Sequence, residues 1–153
     1  MNKLIFNESK SLRLTNALFY KINIQEDNID LVALKMENYI KSKGVTPVGP
    51  LIQHTTVTHN ANGQQEISLD FIRQCNNFID NIEMPYQMES VVRIKDCLYV
   101  RYIGEEAKLK VGYEKISVEA FEKGIEITGD SYTIFVDKQD DILTADIFVE
   151  KKL

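Results

Sequence analysis

Hydrophobic and polar residues alternate along the first half of the chain in a pattern that predicts a strand followed by a helix. Residues 12–24 are mostly apolar and β-prone, which is typical of a strand. From residue 29 to residue 43 the apolar positions recur at helical spacing, with charged residues between them. Asn28 is positioned to cap this helix, and Gly44 is positioned to end it.

Two further strands are predicted before the middle of the chain. Residues 51–59 are the next strand candidate, and residues 66–71 alternate between polar and apolar side chains. The segment 60–63 between them contains Asn62-Gly63, the dipeptide that favours a tight hairpin turn. Residues 76–85 are polar and acidic and end in proline, which is typical of a linker.

The second half repeats the order of strand, helix, strand and strand. Residues 90–103 predict a strand with a break near Asp96, and residues 104–106 turn into a helix with an acidic first turn. Gly124 ends this helix. Strands are expected at residues 132–136 and 142–150.

The two halves match in register, which indicates an internal repeat. Residues 17–22 resemble residues 97–102, and Gly44 corresponds to Gly124, both at an offset of 80 positions. Residues 69–72 resemble residues 145–148 at an offset of 76. We therefore expect an α+β fold built from a tandem, pseudo-two-fold β-α-β-β repeat: an antiparallel sheet with both helices on one face and a central cleft.

The 153 residues are expected to form a single domain. Repeat one covers about 12–75, a linker about 76–87, and repeat two about 88–152.

Composition narrows the possible partners. Eighteen basic residues against 23 acidic ones give a net charge of −5, which argues against nucleic acid as a partner. No apolar run is long enough to span a membrane, and no signal peptide is apparent, so we expect no membrane contact and a cytoplasmic location. Cys75 and Cys97 are expected to be buried, reduced thiols. No residue pattern indicates a metal, a cofactor or a catalytic group.

Strand alternation identifies candidate ligand contacts. On the last strand one face is apolar, and the other carries Asp146, Phe148 and Glu150, an acidic and aromatic set suited to a cation. Asp70 occupies the matching position in the first half, so the two aspartates could face each other near the two-fold axis. Solvated surface acids remain the alternative.

The same reasoning selects residues on the other strands. Phe19 in the first half and Tyr99 and Arg101 in the second are expected to face the cleft, and Phe135 is expected to join them. Core or edge packing is the alternative for the aromatic residues.

The chain resembles the GyrI-like small-molecule-binding domains of the SOUL/GyrI superfamily. The resemblance rests on the repeated strand-helix-strand-strand order, on Tyr99-Val100-Arg101-Tyr102-Ile103-Gly104 before an acidic helix start, on Gly124, and on the strand at 145–149. That superfamily includes effector-binding domains of MerR-type multidrug-responsive regulators.

The resemblance implies a two-fold pair of β-α-β-β units with a cleft lined by aromatic residues and one glutamate. Here the final strand has Asp146 where glutamate is common, with Glu150 further along, and Lys151 follows where the family has proline. The chain is expected to be a stand-alone form, because no helix-turn-helix segment precedes residue 12.

Three functions follow. The first is a non-catalytic binding module for a hydrophobic or cationic small molecule. The second is a protein-interaction module, an accessory or inhibitor protein of the kind encoded near type VII secretion genes. The third is a small hydrolase, because some GyrI-like proteins resemble hydrolases that use a tyrosine and a carboxylate around a bound water. Tyr99 with Asp146 or Glu150 would have to reach a shared water to act in this way. We expect a binding module and not an enzyme.

Overall fold

The computed structural model describes residues 2–152 and has the α+β composition expected from the sequence. The element order is β1 (Lys3–Lys21), α1 (Ile29–Ser42), β2 (Pro47–His59), β3 (Gln65–Cys75), β4 (Tyr86–Glu105), α2 (Lys110–Lys123), β5 (Ile127–Gln139) and β6 (Ile142–Lys151). A short 3-10 turn, Glu106–Lys108, precedes α2. Neither helix within residues 2–152 is long and apolar enough to cross a membrane.

The chain divides into two compact units. The central unit is Arg13–Arg93, and the terminal unit combines Met1–Leu12 with Ile94–Leu153. The divisions fall inside β1 and β4, so each of these strands contributes to both units. Each unit contains one helix and antiparallel strand pairs. The two-fold relation between repeats and the cleft on its axis stay predictions.

The helix ends follow the sequence signals closely. Asn28 caps α1, its side-chain oxygen accepting a hydrogen bond from the backbone N–H of Leu31 at 3.1 Å. Gly44, with φ of 74°, follows the last turn of α1, and Gly124, with φ of 65°, is the C-cap of α2. Both dihedrals lie in the left-handed region that glycine adopts without steric cost. The predicted start of α1 and the predicted ends of both helices are confirmed to within a residue or two. The predicted acidic first turn of α2 is wrong, because the acidic residues come before the helix, which begins at Lys110.

The first strand is longer than predicted. β1 begins at Lys3, nine residues before the expected start at residue 12. Leu4 and Phe6 pack against the core of the terminal unit, whereas Ile5 between them is exposed. These three apolar residues are followed by the polar stretch 7–11, so the sequence signal for this part of the strand is short.

The predicted break near Asp96 is also absent, because β4 runs without interruption from Tyr86 to Glu105. The Asp96 carboxylate accepts a hydrogen bond from Ser9 Oγ at 2.8 Å and lies 3.0 Å from the Lys151 ammonium. The carboxylate of Asp96 thus has a hydrogen-bond donor and an ion-pair partner on other strands, so it is accommodated without a break in β4.

The core of the central unit forms where α1 packs against β1 and β3. Met36 and Ile40 of α1 are fully buried with Leu18 and Phe71 of the strands. The helical spacing of the first two and the alternation of the strand residues place them on one shared face. The side chains on the opposite face of β1 and β3 do not contribute to this core and are available for the site described below.

The core of the terminal unit forms where α2 packs against β4 and β6. Ile116 of α2 contacts a cluster that includes Val100, Tyr102 and Ile147. A Cβ atom at Gly112 would lie 2.7 Å from the Ile147 Cδ1 atom, so this glycine permits close approach of the helix to the sheet.

Two apolar residues of α2 lie outside this core. Val118 and Phe121 are apolar, but their side chains are 52% and 87% exposed. They fall on the solvent side of a helix whose buried positions are Gly112, Ile116 and Ala120. The apolar residues therefore cover more of the helix circumference than the core can bury.

Candidate functional site

Strand register in the central unit aligns one basic, one acidic and one histidine side chain in a row. Lys21 of β1 lies opposite Asp70 of β3, and Asp70 lies opposite His54 of β2. Directly paired residues on antiparallel strands project to the same side of the sheet. Phe19, two positions before Lys21, projects to this side as well. This is the face opposite the α1 core.

A cavity of about 310 Å³ lies on this face. It is lined by the residues that alternation places there and by two residues near the start of β4: Phe19, Lys21, Thr56, Ser68, Asp70, Pro85 and Gln87. Phe19 and Asp70, both selected from the sequence as ligand contacts, therefore line one cavity. A lining of one aromatic ring, two opposite charges and several neutral polar groups suits a small ligand with an apolar body and a charged group.

Side-chain contacts connect Asp70 to a hydroxyl in the same cavity. His54 Nδ1 lies 3.4 Å from Asp70 Oδ2, and His54 Nε2 lies 3.3 Å from Thr56 Oγ1. The order carboxylate, imidazole, hydroxyl is that of a proton relay, but both separations exceed the roughly 2.6–3.2 Å of catalytic hydrogen bonds. The contacts orient Asp70 and Thr56 toward the cavity.

In the terminal unit the predicted residues form a hydrogen-bonded cluster. Arg101 and Asp146 are cross-strand partners in β4 and β6. The guanidinium donates from Nε to Asp146 Oδ1 at 2.7 Å and from Nη2 to Oδ2 at 2.8 Å. Tyr99 donates its hydroxyl to Asp146 Oδ1 at 2.6 Å. The carboxylate therefore receives three hydrogen bonds from its own chain.

These contacts set the protonation of the cluster. Burial alone would raise the pKa of Asp146, but the hydrogen bonds from Arg101 and Tyr99, together with the charges of Arg101 and Lys10, outweigh burial and lower it. The pKa of Tyr99 is raised to about 12, first by burial and then by the hydrogen bond and charge of Asp146. Asp146 is thus an anion and Tyr99 a neutral phenol near neutral pH.

Aromatic and cationic side chains surround this cluster. Phe148 is the cross-strand partner of Tyr99, with ring centroids 5.0 Å apart and planes at 54°. The Lys10 ammonium lies 4.2 Å from the centroid of the Tyr99 ring, a cation–π contact. With Lys10 and Arg101 against Asp146, the cluster contains two cations and one anion.

The last two predicted residues, Glu150 and Phe135, lie on different faces of the sheet. Glu150 is the cross-strand partner of Cys97 and is half-buried. Burial, and then the charges of Glu150 and Asp96, raise the pKa of Cys97 to about 12. Because directly paired residues project to the same side of a sheet, the pairs Tyr99 with Phe148 and Cys97 with Glu150 place Tyr99, Phe148 and Glu150 on one face of β4 and β6.

Phe135 does not share that face. Its partner on β6 is Ala145, whereas Ile134 is the partner of Asp146. Thr133, on the same side as Phe135, hydrogen-bonds Tyr113 of α2, so this side of β5 faces the helix. The prediction that Phe135 joins Tyr99 and Phe148 is wrong because the pairing register places it on the opposite side of the sheet.

Sequence reasoning missed Lys10, Thr56 and the link through His54. Lys10 lies in the part of β1 that was not predicted, and Thr56 lies on the same face as His54 because both positions are even-numbered on one strand. The two-residue spacing of His54 and Thr56 could therefore have predicted from the sequence that they share a face. Within the described part of the chain, no three His, Cys, Asp or Glu side chains are grouped so as to hold a metal ion.

Comparison with protein-family models and with curated protein sequences gives no match. Comparison with solved structures does. The crystal structure of the EcmrR C-terminal domain has a TM-score of 0.63 and 16% identity, covering 99% of this chain and 98% of that domain. EcmrR in its complex with DNA has a TM-score of 0.64 and 15% identity, and this chain spans 57% of its length. A hydrolase from Listeria innocua has a TM-score of 0.55 and 12% identity over 99% of this chain and 91% of that one.

At these identities the likeness concerns the fold. This chain therefore shares its fold with the EcmrR C-terminal domain over nearly the whole length of both.

Proposed function

We propose that this protein is a non-catalytic binding module for a small molecule with an apolar or aromatic body and a cationic group. The observation that carries the proposal is the cavity in the central unit, where the ring of Phe19 and the carboxylate of Asp70 line the same space. The ring supplies apolar contact, and the carboxylate supplies the charge that selects a cation.

Asp70 suits this role better than Asp146. The Asp146 carboxylate already receives a two-pronged hydrogen bond from Arg101 and a third bond from Tyr99. A ligand cation at Asp146 would have to displace Arg101 or share its oxygens, and Lys10 nearby would repel it. Asp70 lies 3.4 Å from His54 and opposite Lys21 on the neighbouring strand, with an open cavity beside it.

The size of the cavity limits the ligand. A volume of about 310 Å³ is at the lower end of the range for drug-sized ligands, roughly 300–1,000 Å³. Lys21, Thr56 and Ser68 add donors and acceptors at the wall. A compact aromatic ammonium ion fits this lining better than a large multi-ring cation.

The family likeness supports a ligand-binding role. GyrI-like domains, which the sequence resembles, act as effector-binding domains of MerR-type regulators, and this chain shares its fold with the C-terminal domain of EcmrR. EcmrR itself is seen in a complex with DNA. With a net charge of −5 we propose that the present chain contacts the effector and not nucleic acid, and that it acts in the cytoplasm.

A binding experiment tests the proposal. Benzyltrimethylammonium is titrated against the protein by isothermal calorimetry, with benzyl alcohol as the neutral aromatic comparison. We expect the cation to bind and Asp70→Asn to weaken it by roughly tenfold, the usual cost of losing a charge-assisted contact. Phe19→Leu should weaken both compounds, because it removes the aromatic wall.

Asp146→Asn is the matched control, since it removes an acid that Arg101 already neutralises. Equal affinity of wild type and Asp70→Asn for the cation would contradict the proposal. A larger loss in Asp146→Asn than in Asp70→Asn would move the site to the terminal unit.

We further propose that binding occurs without turnover. Tyr99 is a neutral phenol with a pKa raised to about 12, and Asp146 is held by Arg101, so neither is poised as a general base near neutral pH. The row of Asp70, His54 and Thr56 is the other arrangement whose lack of catalytic activity has to be tested. Hydrolysis of p-nitrophenyl acetate should be equal in wild type and His54→Ala, and a large loss in the variant would contradict this.

A protein-interaction module is the second candidate, favoured by one observation. Phe121 and Val118 are three positions apart on α2, 87% and 52% exposed, and so form an apolar surface on the helix. Co-purification from the native host should then recover a stoichiometric partner that Phe121→Ser loses and Asp70→Asn retains. Capture that is unchanged in Phe121→Ser would remove this candidate.

A further inference from the structure

A second cavity in the central unit lies beside the start of α1 and has a volume of about 220 Å³. Its lining includes Tyr20, whose neighbours Phe19 and Lys21 line the cavity of the proposed function. Successive residues of a strand project to opposite faces, so the two cavities lie on opposite sides of β1. The second cavity is therefore a separate place in the same unit.

Two tyrosine rings form part of its wall. The ring centroids of Tyr20 and Tyr86 are 5.6 Å apart, with planes at 52°. Tyr86 also stacks on Tyr39, with centroids 4.2 Å apart and planes at 23°. The Lys43 ammonium lies 5.3 Å from the centroid of Tyr39. This tyrosine cluster thus already holds one cation of the protein against a ring face, while Tyr20 and Tyr86 also line the cavity.

Two carboxylates lie at the same cavity. Asp27 accepts hydrogen bonds from the Tyr20 hydroxyl at 3.3 Å and from the Asn23 backbone N–H at 2.7 Å. Glu26 accepts one from the Asn23 side chain at 3.2 Å and is exposed. All these donors are neutral, so they orient the carboxylates without cancelling their negative charge.

The positive charge at the cavity is smaller than the negative charge of these two carboxylates. Lys35, an exposed residue of α1, is the cation in the lining. The N-terminus of α1 adds a partial charge of about half a unit. Two carboxylates outweigh one ammonium and this partial charge, and the tyrosine faces add to the attraction for a cation.

We propose that this second cavity binds a small organic ammonium ion of about the size of choline. The tyrosine rings contact the alkyl groups on nitrogen, and the carboxylates of Glu26 and Asp27 balance the charge. At about 220 Å³ the cavity is smaller than those that enclose drug-sized ligands, so its volume matches a compact ion. The proposal does not rest on the function of the first cavity.

The test compares choline with 3,3-dimethyl-1-butanol, which has the same shape with carbon in place of the charged nitrogen. Each is titrated into the full-length protein labelled with nitrogen-15, and amide shifts are followed by NMR. We expect choline to shift amides of residues 20, 26–35 and 86, and the neutral alcohol to bind at least about fivefold more weakly.

Two charge variants should change affinity in opposite directions. Glu26→Gln should weaken choline binding by roughly threefold, and Lys35→Gln should strengthen it by a similar factor. Glu37→Gln and Lys41→Gln are the matched controls, because these two residues pair with each other elsewhere on α1. A merely structural role of Glu26 and Lys35 would not produce opposite effects.

Several results would overturn the proposal. Equal affinity for choline and the neutral alcohol would show that charge is not recognised. Shifts confined to residues 19, 21, 68 and 70 would place the ion in the first cavity. Changes of the same sign in Glu26→Gln and Lys35→Gln, or changes matched by the two controls, would also contradict it.

Discussion

Arg101 holds the carboxylate of Asp146 through two hydrogen bonds, 2.7 Å from Nε to Oδ1 and 2.8 Å from Nη2 to Oδ2. The sequence pattern selected both residues as ligand contacts, but the structure joins them to each other. Asp70, the corresponding acid of the central unit, instead lines a cavity. The acid of the terminal unit is thus held in an ion pair, whereas the acid of the central unit is accessible to a ligand.

Removing Arg101 should destabilise the protein. The side chain of Asp146 is only 14% exposed, so Arg101→Ala would leave a largely buried carboxylate with one hydrogen-bond donor fewer on each oxygen. We expect the free energy of unfolding to fall by roughly 2 kcal/mol, as measured by urea denaturation.

Lys138→Ala is the control for this variant. It removes the exposed contact between Lys138 and Glu106, and should change stability by less than about 0.5 kcal/mol. Equal effects of the two substitutions would mean that the Arg101 pair behaves as an ordinary surface contact.

Asp146 should also make stability depend on pH in the acid range. Burial opposes its ionisation, but the hydrogen bonds from Arg101 and Tyr99 outweigh burial, so the pKa in the folded protein is lowered. This contribution to stability is fully present above the unfolded pKa of about 3.9 and is lost as pH falls through the folded pKa.

The stability difference between wild type and Asp146→Asn should therefore shrink as pH is lowered from about 6 to about 3. Urea denaturation at several pH values measures it. Asp80→Asn, which alters an exposed carboxylate, should differ from wild type by a small and nearly constant amount. A stability difference between wild type and Asp146→Asn that grows as the pH falls would contradict the lowered pKa of Asp146 in the folded protein.

Both cysteines should be unreactive in the folded protein. Cys97 is fully buried, and burial with the charges of Glu150 and Asp96 raises its pKa to about 12; burial also raises the pKa of Cys75. At pH 8 Cys97 would therefore be almost entirely in its unreactive thiol form. Labelling with Ellman's reagent should follow global unfolding, reaching two thiols per chain in denaturant. Rapid labelling of one thiol without denaturant would show local opening.

Much of the local structure could be predicted because its signals lie within a few residues of each other. The cap at Asn28 and the glycine after α1 are such signals, and both appear where expected. Alternation along β4 likewise places Tyr99 and Arg101 on one face. What alternation cannot supply is the partner across the sheet, which depends on register between distant segments.

Phe135 shows the consequence. Residues 131–135 of its strand pair regularly with β6 between two register shifts, and pairing with Ala145 puts Phe135 on the α2 side. The cavity beside α1 was missed for a related reason, because Tyr20 and Tyr86 belong to strands 66 positions apart in the sequence. Their meeting depends on tertiary packing.

The last prediction concerns Thr133, a buried polar residue of the terminal unit, whose hydroxyl hydrogen-bonds that of Tyr113 on α2. Thr133→Val keeps the shape but leaves the half-buried Tyr113 hydroxyl without this partner, so it should cost roughly 1–2 kcal/mol in free energy of unfolding. Tyr113→Phe should cost a similar amount, because it leaves the Thr133 hydroxyl unpaired in the core. The double variant should be less destabilised than the sum of the two, by about 1 kcal/mol, since both polar groups are then gone. Urea denaturation of the four proteins measures this coupling, and strict additivity would mean that the hydrogen bond contributes nothing to the attachment of α2 to the sheet.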